Sequence, residues 1–252
     1  MRTGSPHPDG KEQAMEVKVV PLDLGMVKAF AVTGPGTVVL VDAGLPGQEE
    51  RIGERLRQAG IRLEDLRLVV ITHAHFDHFG SARALKERTG AKILVHRLDA
   101  DALREGSNDF PASFNLLGEV FGAVVRFGNR VGALGRGPAP GNVGVEPDIV
   151  VDGEYDLRPF GLAGRIVPTP GHTPGGVSVL LDSGEAIVGD LIGTFLQPRT
   201  PALPLWGNDR RELCRSIRRV MAARPAWVHA AHVARFSLAD LEAAFPRARE
   251  AR

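Results

Sequence analysis

One stretch limits the fold more than any other: 68-LVVITHAHFDHFGS-81. Its first four residues are apolar. A strand with no polar face needs cover on both sides, as in the middle of a sheet. The run leads directly into His73, His75, Asp77 and His78, so three of the chain's eight histidines fall within one short loop. Residues i and i+2 of an extended chain point the same way, which lets His73 and His75 be presented together. Asp77 and His78 follow as the backbone turns into a helix. Imidazole and carboxylate are suitable ligands for zinc, iron or manganese. The residue types, the tight spacing and the strand-to-helix setting favour a metal loop over chance histidines on a polar surface.

The flanking pattern supplies the sheets. Strands are expected at 17–24, 29–33 and 37–44, separated by Gly and Pro turns. A helix over 47–59 would place Ile52, Leu56 and Ala59 on one face. A second helix over 80–89 stops at Gly90, and 92-KILVH-96 returns as a strand. Later strands are expected at 156–160, 165–168, 177–181, 185–189 and 226–230. Helices are expected at 210–222, with Leu213, Ile217, Val220 and Met221 on one stripe, and at 238–248. Alternating strands and helices predict helices packed on sheets. Residues 105–147 break the pattern. They hold an apolar stripe (Leu117, Val120, Phe121, Val124, Val125) and then the Gly/Pro-rich 135-GRGPAPGNVG-144.

Composition narrows the chemistry. A net charge of +1 offers no electrostatic case for nucleic acid or an anionic membrane. With Cys214 as the single cysteine, neither an internal disulfide nor a cysteine-rich metal site can form. Residues 1–14 are polar, lack the apolar core of a signal peptide and read as a disordered leader. The rest, 15–252, reads as one domain in a cytoplasmic protein. No apolar run is long enough for a transmembrane helix.

A two-metal site needs more ligands than one loop holds. Three candidates lie at strand ends: His172 in 168-PTPGHTPGG-176, Asp190 closing 185-EAIVGD-190, and His232 in 229-HAAHVARFS-237. The ordered set resembles the metallo-β-lactamase fold superfamily, from about residue 17 onwards. It comprises His73-x-His75-x-Asp77-His78, Gly171–His172, Asp190, and a late histidine. The 41-VDAG-44 stretch resembles an early family signature, with Asp42 behind the ligands. The resemblance implies a four-layer αββα sandwich, a fold of α/β and α+β character, with 105–147 as a helical, lid-like insertion. It implies two divalent cations, zinc first, with iron or manganese as alternatives. His73, His75 and His172 would hold one, Asp77, His78 and His232 the other, and Asp190 would bridge them. Asp77 would also orient the nucleophile. The last ligand has a competitor in His229. His232 fits better, because it follows the strand and precedes 237-SLADL-241.

Such a site would use a metal-bridging hydroxide on a carbonyl ester, lactone or thioester, with no serine or cysteine nucleophile. A mononuclear iron dioxygenase of the persulfide type and β-lactam hydrolysis are the alternatives. Phe195, Leu196 and Trp206, in 191-LIGTFLQPRTPALPLW-206, are candidates to meet an apolar substituent of a small-molecule substrate. The same apolar segments would serve equally as core packing or as the face of a homodimer.

Overall fold

The computed structural model describes residues 17–107, 113–114, 119, 143–194 and 199–246. The expected leader, most of the 105–147 insertion, and Phe195 and Leu196 lie outside these.

Among the described residues the chain forms two six-stranded sheets and a small hairpin. The first sheet runs β1 (Lys18–Asp23), β2 (Lys28–Gly34), β3 (Thr37–Val41), β4 (Leu66–Val70), β5 (Lys92–His96) and β6 (Ile149–Val151). β1 to β3 are antiparallel, and β3 to β6 are parallel. The parallel crossovers carry α1 (Glu49–Gln58), α2 (Phe76–Phe79), α3 (Ala82–Thr89) and α4 (Ala100–Glu105). The second sheet contains β7 (Tyr155–Asp156), β8 (Gly164–Pro168), β9 (Val177–Leu181), β10 (Glu185–Ile187), β13 (Trp227–His229) and β14 (Phe236–Ser237). β11 (Gly193–Thr194) and β12 (Pro201–Ala202) pair separately. α5 (Arg210–Ala222) and α6 (Leu238–Ala244) complete the order.

The two-residue period of the strands sorts their side chains into layers. Leu68 and Val70 of β4 meet Val39 and Val41 of β3 and Val177 and Val179 of β9, between the sheets. Their neighbours Val69, Ile71 and Leu40 turn the other way, onto Ile52, Leu56, Phe79 and Leu85. On the far side, Leu180, Ala186 and Val228 pack against Leu213, Ile217 and Val220 of α5 and Leu241 of α6. The order is helix, sheet, sheet, helix, the expected αββα sandwich. The all-apolar β4 is central because both of its faces are covered. Among the described residues no helix is long and apolar enough to cross a membrane.

Several local expectations need correction. The strand expected over 156–160 stops at Asp156, and Arg158–Phe160 form a 3-10 turn instead. Pro159 favours the turn, and Gly161 closes it at φ +73°. Ala59 is exposed beyond the end of α1, so it does not share the buried face of Ile52 and Leu56. The helix expected over 80–89 begins earlier as a separate single turn, α2, and resumes at Ala82. The short elements α4, β6, β11 and β12 carry too few residues to show a period in the sequence.

Candidate metal centre

The candidate ligands converge because both sheets present the same ends to one edge. β3 and β4 run parallel, so Asp42 and the 71–78 loop leave the first sheet together. β8, β10 and β13 share a direction in the second sheet, so His172, Asp190 and His232 leave it on one side. The sheets are joined at this edge by the Val177 N–H, which donates to Thr72 O at 2.8 Å.

His73 and His75 come together by a bend, not by the extended spacing expected from sequence. The His75 N–H donates back to the His73 carbonyl at 3.0 Å. His73 Nε2 then lies 3.0 Å from His75 Nδ1, and His172 Nε2 lies 3.1 Å from the same atom. Tetrahedral coordination with bonds of about 2.0–2.1 Å would set ligand nitrogens about 3.3 Å apart. The three imidazoles therefore fit one cation. Asp77, His78 and His232 form a second group, and Asp190 stands between the two. Asp190 Oδ2 is 3.5 Å from His172 Nε2, and Oδ1 is 3.5 Å from His78 Nε2 and 3.4 Å from His232 Nε2. Asp77 Oδ2 is 3.3 Å from His232 Nε2.

The rear of each of four rings is occupied. His78 Nδ1 meets Asp42 Oδ2 at 2.8 Å, His172 Nδ1 meets Trp206 O at 3.0 Å, and His232 Nδ1 meets Met26 O at 2.7 Å. A carboxylate or carbonyl can only accept, so these three nitrogens carry a proton and each ring turns its Nε2 inward. His73 Nδ1 meets Thr72 Oγ1 at 3.1 Å, and that hydroxyl donates to Asp42 Oδ2 at 2.9 Å. With its own proton spent on Asp42, the hydroxyl can only accept from His73, which fixes the same tautomer. His78 Nε2 and Asp190 Oδ1 are buried, with no hydrogen-bond partner among the described residues. Buried polar atoms are rarely left this way. A cation between them would satisfy both, as would a proton shared across the 3.5 Å gap.

Charge divides the groups. Burial, and next the nearby His78, hold His73 well below the usual imidazole value. Burial and His172 push His75 down to about 3, and burial also lowers His172 against the pull of Asp190. Burial opposes charge on the second group as well, but the carboxylates outweigh it. Asp42 and then Asp190 hold His78 well above its ordinary value, and Asp190 lifts His232 to about 10. Burial would raise Asp190, yet His232 and His78 hold it well below the carboxylate range; His78 likewise lowers Asp77 against burial. The first group is thus three neutral imidazoles, while the second holds protons where a cation would sit.

The structure separates the competing histidines. His232 Nε2 faces Asp77 and Asp190, whereas His229 is a buried residue of β13 whose Nε2 meets Glu185 Oε1 at 3.2 Å. His96, closing β5, is buried and accepts from the Leu98 N–H. Trp206 is half-buried, and its backbone carbonyl rather than its ring is what holds His172. Sequence reasoning missed Thr72, Asp99 and the Met26 carbonyl. Thr72 precedes the motif directly and could have been flagged; a backbone carbonyl leaves no sequence signal.

A family model described as the metallo-beta-lactamase superfamily matches residues 22–246. The chain is 27% identical over 175 residues to the probable metallo-hydrolase YflN of Bacillus subtilis, covering 66% of this chain and 59% of that protein. To the probable metallo-hydrolase YqgX of the same organism it is 24% identical over 212 residues, covering 84% and 86%. The chain spans about three fifths of the length of the first curated relatives it matches, 59% of YflN and 61% of YobT. Among solved structures, the B3 metallo-beta-lactamase BLEG-1 superposes with a TM-score of 0.65 at 20% identity, over 93% of this chain and all of that one (100%). The metallo-beta-lactamase family protein TTHA1429 of Thermus thermophilus gives 0.61 at 20% identity, over 93% and 77%. These likenesses establish the fold, and the family match covers most of the chain. The chain belongs to the metallo-beta-lactamase superfamily.

Proposed function

We propose that the chain is a dinuclear metal-dependent hydrolase that cleaves a carbonyl ester, thioester or lactone bearing an apolar substituent. The observation that carries this reading is the pair of buried atoms His78 Nε2 and Asp190 Oδ1, which face each other at 3.5 Å without forming a hydrogen bond. They lie beside a complete three-imidazole group. The gathering of Asp77, His78 and His232 as a second set of donors favours two cations over one, although a single-cation site can retain such a set unfilled. The names of the relatives YflN and YqgX, both probable metallo-hydrolases, agree with it.

His73, His75 and His172 would hold one cation, Asp77, His78 and His232 the second, and the two oxygens of Asp190 would face one each. Two divalent cations, zinc first among the candidates, supply Lewis acidity and an acidified water when bound. The protein's own part is to fix the donors and exclude bulk water. Asp42, Thr72 and the carbonyls of Met26 and Trp206 lock the ring tautomers. Asp77, partly exposed, would accept a hydrogen bond from an attacking water. Half-buried Trp206, whose carbonyl meets His172, and exposed Met26, whose carbonyl meets His232, would give the rim an apolar character suited to an acyl chain.

The test is metal content per chain in wild type and in His78→Ala, followed by hydrolysis of lactones, thioesters and β-lactams. Close to two ions per chain, falling in the variant, with turnover of an ester-type substrate, is expected. One iron per chain, unchanged in the variant, overturns the reading in favour of oxygen-consuming thiol chemistry.

A further inference from the structure

Asp99 sits outside the ligand set, shortly after β5, at the position that caps α4. An aspartate there is ordinarily spent on the backbone N–H groups of its own helix. Asp99 makes no such bond. It is 4% exposed, and its carboxylate accepts three hydrogen bonds from distant chain. Oδ2 accepts from the Ala74 N–H at 2.9 Å and from Thr173 Oγ1 at 2.8 Å. Oδ1 accepts from the Gly175 N–H at 2.8 Å.

The donors identify what is being held. Ala74 is the residue between His73 and His75. Thr173 and Gly175 lie just after His172. One buried carboxylate therefore ties together the two loops whose imidazoles meet within 3.0–3.1 Å. The fit is tight from the other side also: a Cβ on Gly175 would stand 2.4 Å from Asp99 Oδ1. The Val177 N–H to Thr72 O bond is a second tie between the same loops, but it fixes their bases rather than the ligand-bearing tips.

We propose that Asp99 is a positioning residue that sets the spacing of His172 against His73 and His75, and so the affinity and ligand field of the first metal position. The inference rests on the metal-centre reading above. The three hydrogen bonds of Asp99 go to the chain on either side of the ligand rings, and it acts through that chain. Groups placed behind metal ligands typically change metal affinity by about 10–100-fold when removed.

Asn in place of Asp99 keeps the shape but turns an NH2 group toward one set of donors, so at least one loop loses its anchor. Thr173→Val removes only the hydroxyl from Oδ2 and keeps the volume. The experiment titrates Co(II) into metal-free full-length wild type, Asp99→Asn and Thr173→Val, reading the visible spectrum and the affinity of each step. Expected are a loss of about 10–100-fold at the His73–His75–His172 position in Asp99→Asn, an altered spectrum there, a smaller loss in Thr173→Val, and an unchanged step at Asp77–His78–His232. If Asp99→Asn fails to fold, Thr173→Val alone carries the test. Wild-type affinity and spectrum at the first position, or equal losses at both positions, overturn the role of Asp99. A wild type that takes no cobalt on those three histidines overturns the metal-centre reading instead.

Discussion

Asp42 Oδ2 and His78 Nδ1 are 2.8 Å apart, and neither side chain has any exposure to solvent. The same oxygen accepts from Thr72 Oγ1, and through it touches His73. One carboxylate thus stands behind a histidine of each candidate metal group. Its backbone has φ +63°, a left-handed conformation that Asn tolerates better than most residues. Asp42→Asn should therefore fold but weaken metal binding at the Asp77–His78–His232 group by about 10–100-fold, read by metal titration. Asp42→Ala leaves His78 without its buried partner and should cost about 3–5 kcal/mol in denaturant unfolding. Unchanged affinity in both variants would show that His78 is oriented by something else.

The opposite charge states of the two groups predict two steps in metal retention against pH. His73, His75 and His172 are held below the ordinary imidazole range, so acid competes little for them until well below neutral. His78 and His232 are raised, His232 to about 10, so a cation must displace protons there. Calorimetry at a mildly alkaline pH in buffers of different ionisation enthalpy should detect net proton release, arising from the second cation. As pH falls, that ion should leave first. Release of both ions together would contradict the division.

The same shifts set the stability of the metal-free protein. His232 has a raised folded value, so its contribution is full below the unfolded value of about 6.5 and is lost as pH rises toward about 10. His75 is depressed to about 3. Its neutral ring is therefore tolerated by the fold, and the penalty for protonating it grows as pH falls from about 6.5 toward about 3. Melting temperature after chelation should peak near neutrality and decline on both sides. Added zinc should flatten the alkaline limb, because it replaces the proton that His232 loses.

The parts of this molecule most legible in its sequence are those with a repeating signal. The apolar run that becomes β4 is central, and the stripe Leu213, Ile217, Val220 faces the second sheet as its spacing implies. The histidines and aspartates of the ordered motifs are equally readable as a cluster, because the fold brings them together. What resists reading is carried by backbone or by long-range partners. The Met26 and Trp206 carbonyls could belong to any residue, and Asp99 looks like an ordinary helix cap. The bend that brings His73 to His75 depends on a backbone bond, not on alternation.

Gly189 shows how closely the sheets meet at the site. It has φ +52°, and a Cβ there would lie 2.5 Å from Thr72 Oγ1. Gly189→Ala combines left-handed strain with a collision against a packed loop. A loss of about 2–4 kcal/mol in denaturant unfolding is expected, with weaker metal binding, since Thr72 holds His73. Ile217→Ala is the matching control. It opens a cavity under α5, where Ile217 is 1% exposed, and should cost about 2–5 kcal/mol while leaving metal affinity intact.

A substitution at Trp206 tests whether holding a metal and holding a substrate are separate tasks. The Trp206 carbonyl bonds His172 Nδ1, and any residue at this position supplies that carbonyl. Trp206 itself is half-buried, and the proposed function would use its ring as an apolar wall to a substrate. Trp206→Ala should therefore keep its full metal content while losing about 10–100-fold in kcat/KM on esters with long acyl chains, as expected for about 1.5–3 kcal/mol of lost apolar burial. The loss should lie mainly in KM and shrink for acetyl esters, which do not reach the wall. An equal loss on short and long substrates, with kcat reduced, would mean instead that the ring supports the His172 loop. Metal analysis of the same sample decides between the two, because only the second case releases an ion.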